Sequence, residues 1–362
     1  MSVKLLSFSL VVLLAGLVSC NSDTGSPAGA GFNRTAMLGY YADYHILPAM
    51  DTVASNNEAL YQAVLALTAA PSAENLNTTR QQWRTTYLSW QSASAFTLGP
   101  TGEQGLRRRL SEEVGTFPVS EAKIQQYSLA GDTSFTNFDR DSRGLFALEY
   151  FLWAGGDQIV LARLNQAQQA AYFRAATRRL RDDLRAARTG WQQFRDDFVR
   201  SNGTSAGSST TQLYNEFLLA YEGLKNFKVG LPMGLRVGQT QPEPTKVEAY
   251  YSGYSLLGLA QQLNALESFW RGDRQAAGPG FKHYLQSVVG GEALVAQTEY
   301  QLGIIRQKLE ACGSGRLDSL VAIQSPLVLD LHTELQRNTR FFKSDMSSLL
   351  GLTITFSSGD GD

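Results

Sequence analysis

The chain has 362 residues, 43% of them hydrophobic, and a formal net charge of −1. That is enough to bury one large core or two moderate ones. No basic run is long, so nucleic acid is excluded as a partner class.

The N-terminus predicts its own destination. Lys4 gives a positive start, residues 10–17 are almost wholly apolar, and Leu17-Val18-Ser19-Cys20 comes next. This order reads as a signal peptide over residues 1–19 that ends in a lipobox, with Cys20 lipidated as the mature N-terminus. The apolar stretch is too short for a transmembrane helix. Residues 20–31 are small and polar and predict a flexible tether between lipid and folded domain. The expected partner is therefore a membrane, reached through the lipid of a cell-envelope lipoprotein that faces the periplasm or the exterior. Asn21, where an aspartate often retains lipoproteins at the inner membrane, points to the outer membrane.

Helical periodicity dominates the rest of the chain. Residues 35–67 predict a first helix, which Pro48 should kink or end. A second stripe runs through Trp83, Tyr87, Trp90 and Ser94. Further helices are expected over 121–129 and 142–153. Phe173, Thr177, Leu180, Leu184, Ala187, Trp191, Phe194 and Phe198 form the cleanest stripe, with arginines and aspartates between them. That pattern is a solvated helix face and not a membrane or nucleic-acid surface. Residues 201–209 form a loop by composition. Helices are then expected over 209–223, 254–270, 281–311 and 325–349, with a break at Gln241-Pro242-Glu243-Pro244. Cys312, with Gly313-Ser314-Gly315 after it, reads as a small residue near a helix end. With Cys20 lipidated it has no disulfide partner. Residues 352–356 look strand-like, and 357–362 form a polar tail. The fold class is all-α, a domain over 32–356 built as two helical-bundle halves, 32–200 and 209–356.

Familiar catalytic signatures are missing. His45, His283 and His332 are far apart, and none begins an H-E-x-x-H helix. There is no G-x-S-x-G elbow and no phosphate-binding loop. Asp139 and Asp141 begin a calcium-loop pattern, but Arg143 and Tyr150 stand where ligands are needed. The outstanding feature is Arg143-Gly144-Leu145-Phe146-Ala147-Leu148-Glu149-Tyr150-Phe151-Leu152-Trp153, a carboxylate within an apolar run. A buried carboxylate costs several kcal/mol unless paired or hydrogen-bonded.

Several segments in order resemble the imelysin-like family, also classed as a peptidase family. They are Tyr41-Ala42-Asp43-Tyr44-His45-Ile46-Leu47-Pro48, residues 83–100, Gly115-Thr116-Phe117-Pro118-Val119, the stretch around Glu149, residues 247–256, and Phe342-Lys343-Ser344-Asp345-Met346 with the GDGD tail. The resemblance implies two helical halves with a site in the cleft between them, in secreted or lipid-anchored bacterial proteins connected with iron uptake and, in some cases, peptide cleavage. The family writes G-x-H-x-x-E where this chain has Gly144, Phe146 and Glu149; phenylalanine cannot replace the histidine as donor, acceptor or metal ligand. Ser94 stands where the family commonly has an acidic residue.

No catalytic residue is therefore assigned. The expected function is binding of a small ligand or metal ion, tied to iron acquisition, with Glu149, Arg143, Tyr251, Ser252 and Ser255 as candidate ligand-binding residues. Glu149 is the one candidate metal ligand, for a divalent metal or iron. A purely structural Glu149, answered by Arg143, Tyr251, Ser252 or Ser255, stays open. So do a divergent metallopeptidase and a non-catalytic interaction module.

Overall fold

The computed structural model describes residues 31–102, 109–274 and 277–355. The expected signal peptide, Cys20, nearly all of the tether, Phe356 and the tail lie outside these residues. Among the described residues all regular structure is helical. In chain order the α-helices are α1 (Arg34–Tyr40), α2 (Leu47–Ala69), α3 (Ala73–Ala93), α4 (Leu110–Gly115), α5 (Glu121–Ala130), α6 (Gly144–Trp153), α7 (Asp157–Leu164), α8 (Ala167–Arg200), α9 (Ser209–Gly223), α10 (Ser255–Arg271), α11 (Phe281–Gln286), α12 (Gly291–Ala311), α13 (Leu317–Ala322), α14 (Pro326–Arg340) and α15 (Ser347–Leu350). No described helix is long and apolar enough to cross a membrane.

The expected stripe of α8 is the one it buries: Phe173, Leu180, Leu184, Trp191 and Phe198 are all inside. Several of its arginines lie on the opposite side and meet carboxylates. Arg185 pairs with Glu58 at 2.7 Å, Arg188 with Asp51 at 2.5 Å and Arg195 with Asp43 at 2.6 Å. The charged face thus ties α8 to the first long helix and the turn before it. α2 packs against both α3 and α8, α6 lies against α3 and α8, and α12 packs on α14. α3 also packs on α10, and one continuous cluster of buried side chains extends from Met37 to Leu352.

Three places depart from the sequence expectation. Pro48 neither ends nor breaks its helix. A π-turn over Tyr41–Ile46 precedes it, in which the Leu47 N–H donates to the Ala42 carbonyl. The wider π-turn gives the pyrrolidine ring room against the preceding turn. A second π-turn, Leu224–Gly230, likewise runs into Leu231-Pro232, and a third spans Phe341–Met346. Residues 281–311 form two helices, α11 and α12, because Gly290 (φ +82°) turns the chain between them. Residues 352–355 form no strand. They have no ladder partner because the Asn215 side chain on α9 takes that place: its amide donates to the Thr353 carbonyl (2.9 Å) and its oxygen accepts from the Thr355 N–H (2.8 Å). Cys312 caps α12 and is buried.

Gly258 sets the approach of α10 to α3. A Cβ there would lie 1.8 Å from the Tyr87 hydroxyl oxygen. Gly258→Ala should displace the Tyr87 ring and lower stability by about 2 kcal/mol, within the usual range for overpacking, as read by urea unfolding.

Candidate functional site

Helix α6 is buried at every residue from Gly144 to Leu152, which is why its sequence is apolar on all sides. Gly144 opens it at φ +79°, where a Cβ would meet the Glu113 carbonyl oxygen at 2.6 Å. The glycine of the family motif is therefore a backbone requirement.

Glu149, on α6, is 1% exposed. Its Oε1 accepts the Ser252 N–H at 2.7 Å. Burial pushes its carboxyl up to about 7, opposed by the Ser252 hydroxyl and N–H, reinforced by Glu248 and opposed again by Arg316. Ser252 lies in the strap 247–254 before α10, where Ala249 takes φ +53°, a region that non-glycine residues seldom occupy.

The other expected residues answer to different partners. Arg143 turns away from Glu149 and is buried against Glu113 (Nε to Oε2, 2.9 Å) and Asn137. The Tyr251 hydroxyl donates to Glu121 at 2.7 Å. Tyr251 also lines, with Glu149 and Phe146, a cavity of about 30 Å³, roughly one water's share of liquid volume. The Ser255 hydroxyl donates to the Glu248 carbonyl. The Phe146 ring fits between Tyr87 and Phe117, with centroids at 5.9 and 5.6 Å. His45 is buried. Desolvation, reinforced by Arg274, lowers its pKa to about 3.

Sequence reasoning missed the strongest polar grouping. Lys228 and Glu248 are both buried and pair at 2.9 Å. The Tyr87 hydroxyl donates to the same Glu248 oxygen at 2.8 Å, and Lys228 donates to Gln91 Oε1. Burial lowers the Lys228 pKa, and Glu248 opposes that shift. Burial drives the Tyr87 phenol far up, with Glu248 and Glu149 adding to it. Lys228 and Glu248 lie on the wall of a cavity of about 250 Å³, with Trp90, Phe117, Phe227 and Gln262. Ser94 lines it too, as does Glu216, which is held by Arg109 (2.5 Å) and Thr97 (2.8 Å). Gln262 is 4% exposed, and its Oε1 has no hydrogen-bond partner among the described residues. The available signal was Lys228 within Asn226-Phe227-Lys228-Val229-Gly230-Leu231, a lysine entering an apolar run.

These donors do not compose a metal centre. Glu248 already carries Lys228 and Tyr87, Glu149 is answered by Ser252, and Phe146 offers no nitrogen. Among the described residues no three His, Cys, Asp or Glu side chains are placed to hold a metal ion.

Solved structures share this architecture. An imelysin-like protein from Psychrobacter arcticum superposes with a TM-score of 0.68 at 18% identity, over 89% of this chain and 97% of that one. A protein described as a putative iron-regulated protein A precursor, from Parabacteroides distasonis, gives 0.68 at 16% identity, over 86% and 95%. The fold is thus the imelysin-like helical fold. Iron-regulated protein A of Synechococcus elongatus is 23% identical over 328 residues, covering 88% of this chain and 83% of the relative. The Imelysin family profile matches residues 46–337, and the chain belongs to that family.

Because the Glu149 pKa in the fold, about 7, stands above its ordinary 4.5, the native state binds more protons than the unfolded chain between those values. Stability from this group is therefore full below pH 4.5, falls as pH rises through 7, and is flat above. Glu149→Gln should flatten the stability–pH profile between pH 4.5 and 8 by up to about 3 kcal/mol, measured by urea unfolding across that window.

Proposed function

We propose that this protein is a lipid-anchored envelope binding protein. On this reading its two helical halves, 32–200 and 209–356, hold a small polar ligand in the cleft beside Lys228 and Glu248. The observation that carries it is the unpartnered Gln262 Oε1 on a cavity wall that also presents a buried ammonium and a buried carboxylate. Buried acceptors are normally satisfied, and a ligand with both donor and acceptor groups would satisfy this one. Trp90, Phe117 and Phe227 supply apolar walls, a composition typical of small-molecule sites. The name of the cyanobacterial relative, Iron-regulated protein A, extends the reading to a role in iron supply, with the metal arriving as part of a ligand. Glu149 then serves beside the cleft as a carboxyl that gains or loses its proton near neutrality. Phe146 in the histidine position of the family motif supports binding without metal-dependent hydrolysis.

Isothermal titration with ferric citrate, free citrate and a panel of amino acids tests this. Saturable binding at one site is expected, weakened at least tenfold in Lys228→Met and in Gln262→Leu, and unchanged after dialysis of the protein against EDTA. EDTA-sensitive peptide hydrolysis that disappears in Glu149→Gln would replace this reading with the metallopeptidase one. For the anchor, Cys20→Ala should move the protein from the membrane to the soluble fraction of expressing cells; unchanged fractionation would remove the lipid.

A further inference from the structure

A third and larger cavity, of about 620 Å³, lies on the far side of the strap that holds Glu149. Its volume is within the range of small-molecule sites. One face of α10 lines it with Leu256, Leu257, Ala260 and Leu263, and α12 adds Leu309. Leu256, Leu263 and Leu309 are buried, whereas Leu257 is 37% exposed and lies open to solvent. Gly253 and Tyr254 close the strap side, and residues 313–315 close one end.

The charges on this cavity are unequal in their commitments. Arg306 is held by Glu267, which Arg271 also reaches at 3.0 Å. Glu310 is exposed at the C-terminal end of α12. Arg84, projecting from α3, is different. Its guanidinium lies over the Tyr254 ring, 5.1 Å from the centroid, and it has no carboxylate within ion-pair distance among the described residues. Stacking leaves its N–H edges directed sideways, the arrangement that accepts a planar carboxylate in two hydrogen bonds. An aliphatic floor with one uncommitted guanidinium fits an apolar body that carries one carboxylate. Glu310 on the same wall weighs against dianions.

We propose that this cavity binds an aliphatic monocarboxylate of fatty-acid type, with the chain along Leu256, Leu257, Leu263 and Leu309 and the carboxylate on Arg84. The site is separate from the Lys228–Glu248 cleft and does not depend on the function proposed for it. Isothermal titration with decanoate, below its micellar concentration, tests it, with decyltrimethylammonium as the charge-reversed probe of equal chain length. Decanoate should saturate one site and bind at least tenfold more tightly than the cation. Arg84→Gln, at an exposed position, removes the guanidinium and should bring the two probes within threefold of each other. Ala260→Phe should fill the cavity and abolish binding of both. Should that variant lose its helical circular dichroism, Leu257→Asp at the mouth is the substitute, with decanoate affinity expected to fall at least tenfold. Absence of saturable decanoate binding, a preference for decanoate that survives Arg84→Gln, or affinity within twofold of wild type in the cavity variant would each overturn the proposal.

Discussion

The constraint on which this structure turns is the burial of three ionisable side chains, Glu149, Lys228 and Glu248, in the midst of aromatic and aliphatic groups. Each comes from a different part of the chain: α6, the second π-turn and the strap before α10. Removing one partner of a buried ion pair typically costs about 3–5 kcal/mol because the other is left uncompensated. The Lys228–Glu248 pair therefore fixes how the π-turn and the strap meet, and the Tyr87 hydrogen bond adds α3 to the same node. Gly258 allows that approach by leaving room for the Tyr87 hydroxyl. Hydrophobic packing gives the helices their contacts, and the polar node gives those contacts their register.

The strap 247–254 is the meeting point of two environments. Ser252 donates inward to Glu149, and Tyr251 and Tyr250 line the small cavity beside it. Gly253 and Tyr254 face the larger aliphatic cavity. Arg316 braces the strap from outside by donating to the Tyr250 carbonyl and pairing with Asp318 at 3.0 Å. One short segment thereby forms a wall shared by a buried carboxyl, the polar cleft through Glu248, and an apolar chamber. The aromatic seat of Phe146 keeps the first of these free of any imidazole.

Much of the fold was legible from periodicity. The stripe from Phe173 to Phe198 gave both the helix and its buried face, and α9 begins and ends where turn composition placed it. The short helices α4, α7 and α13 were not legible, because six to eight residues span too few turns to display a period. The extended 352–355 segment read as a strand because β-propensity reports branched side chains, whereas pairing depends on a neighbouring backbone, and here Asn215 replaces it. For the site, Glu149 stood out because a carboxylate in an apolar run must be answered. Arg143 was the neighbour in sequence, but it stands in extended backbone just before α6 and reaches Glu113 instead. Ser252, 103 residues away, supplied the hydrogen bond, a contact no local pattern encodes. Lys228 escaped notice because a lone lysine is usually a surface residue.

The three π-turns carry an evolutionary consequence. Each is equivalent to one residue inserted into an α-helix, and a one-residue slip rotates everything downstream by about 100°. A single-codon deletion within Leu224–Gly230 would rewind that segment to ordinary helix and swing Lys228 off its bearing on Glu248. Indels at these points would thus be purged more severely than substitutions, and alignment gaps across relatives should avoid them.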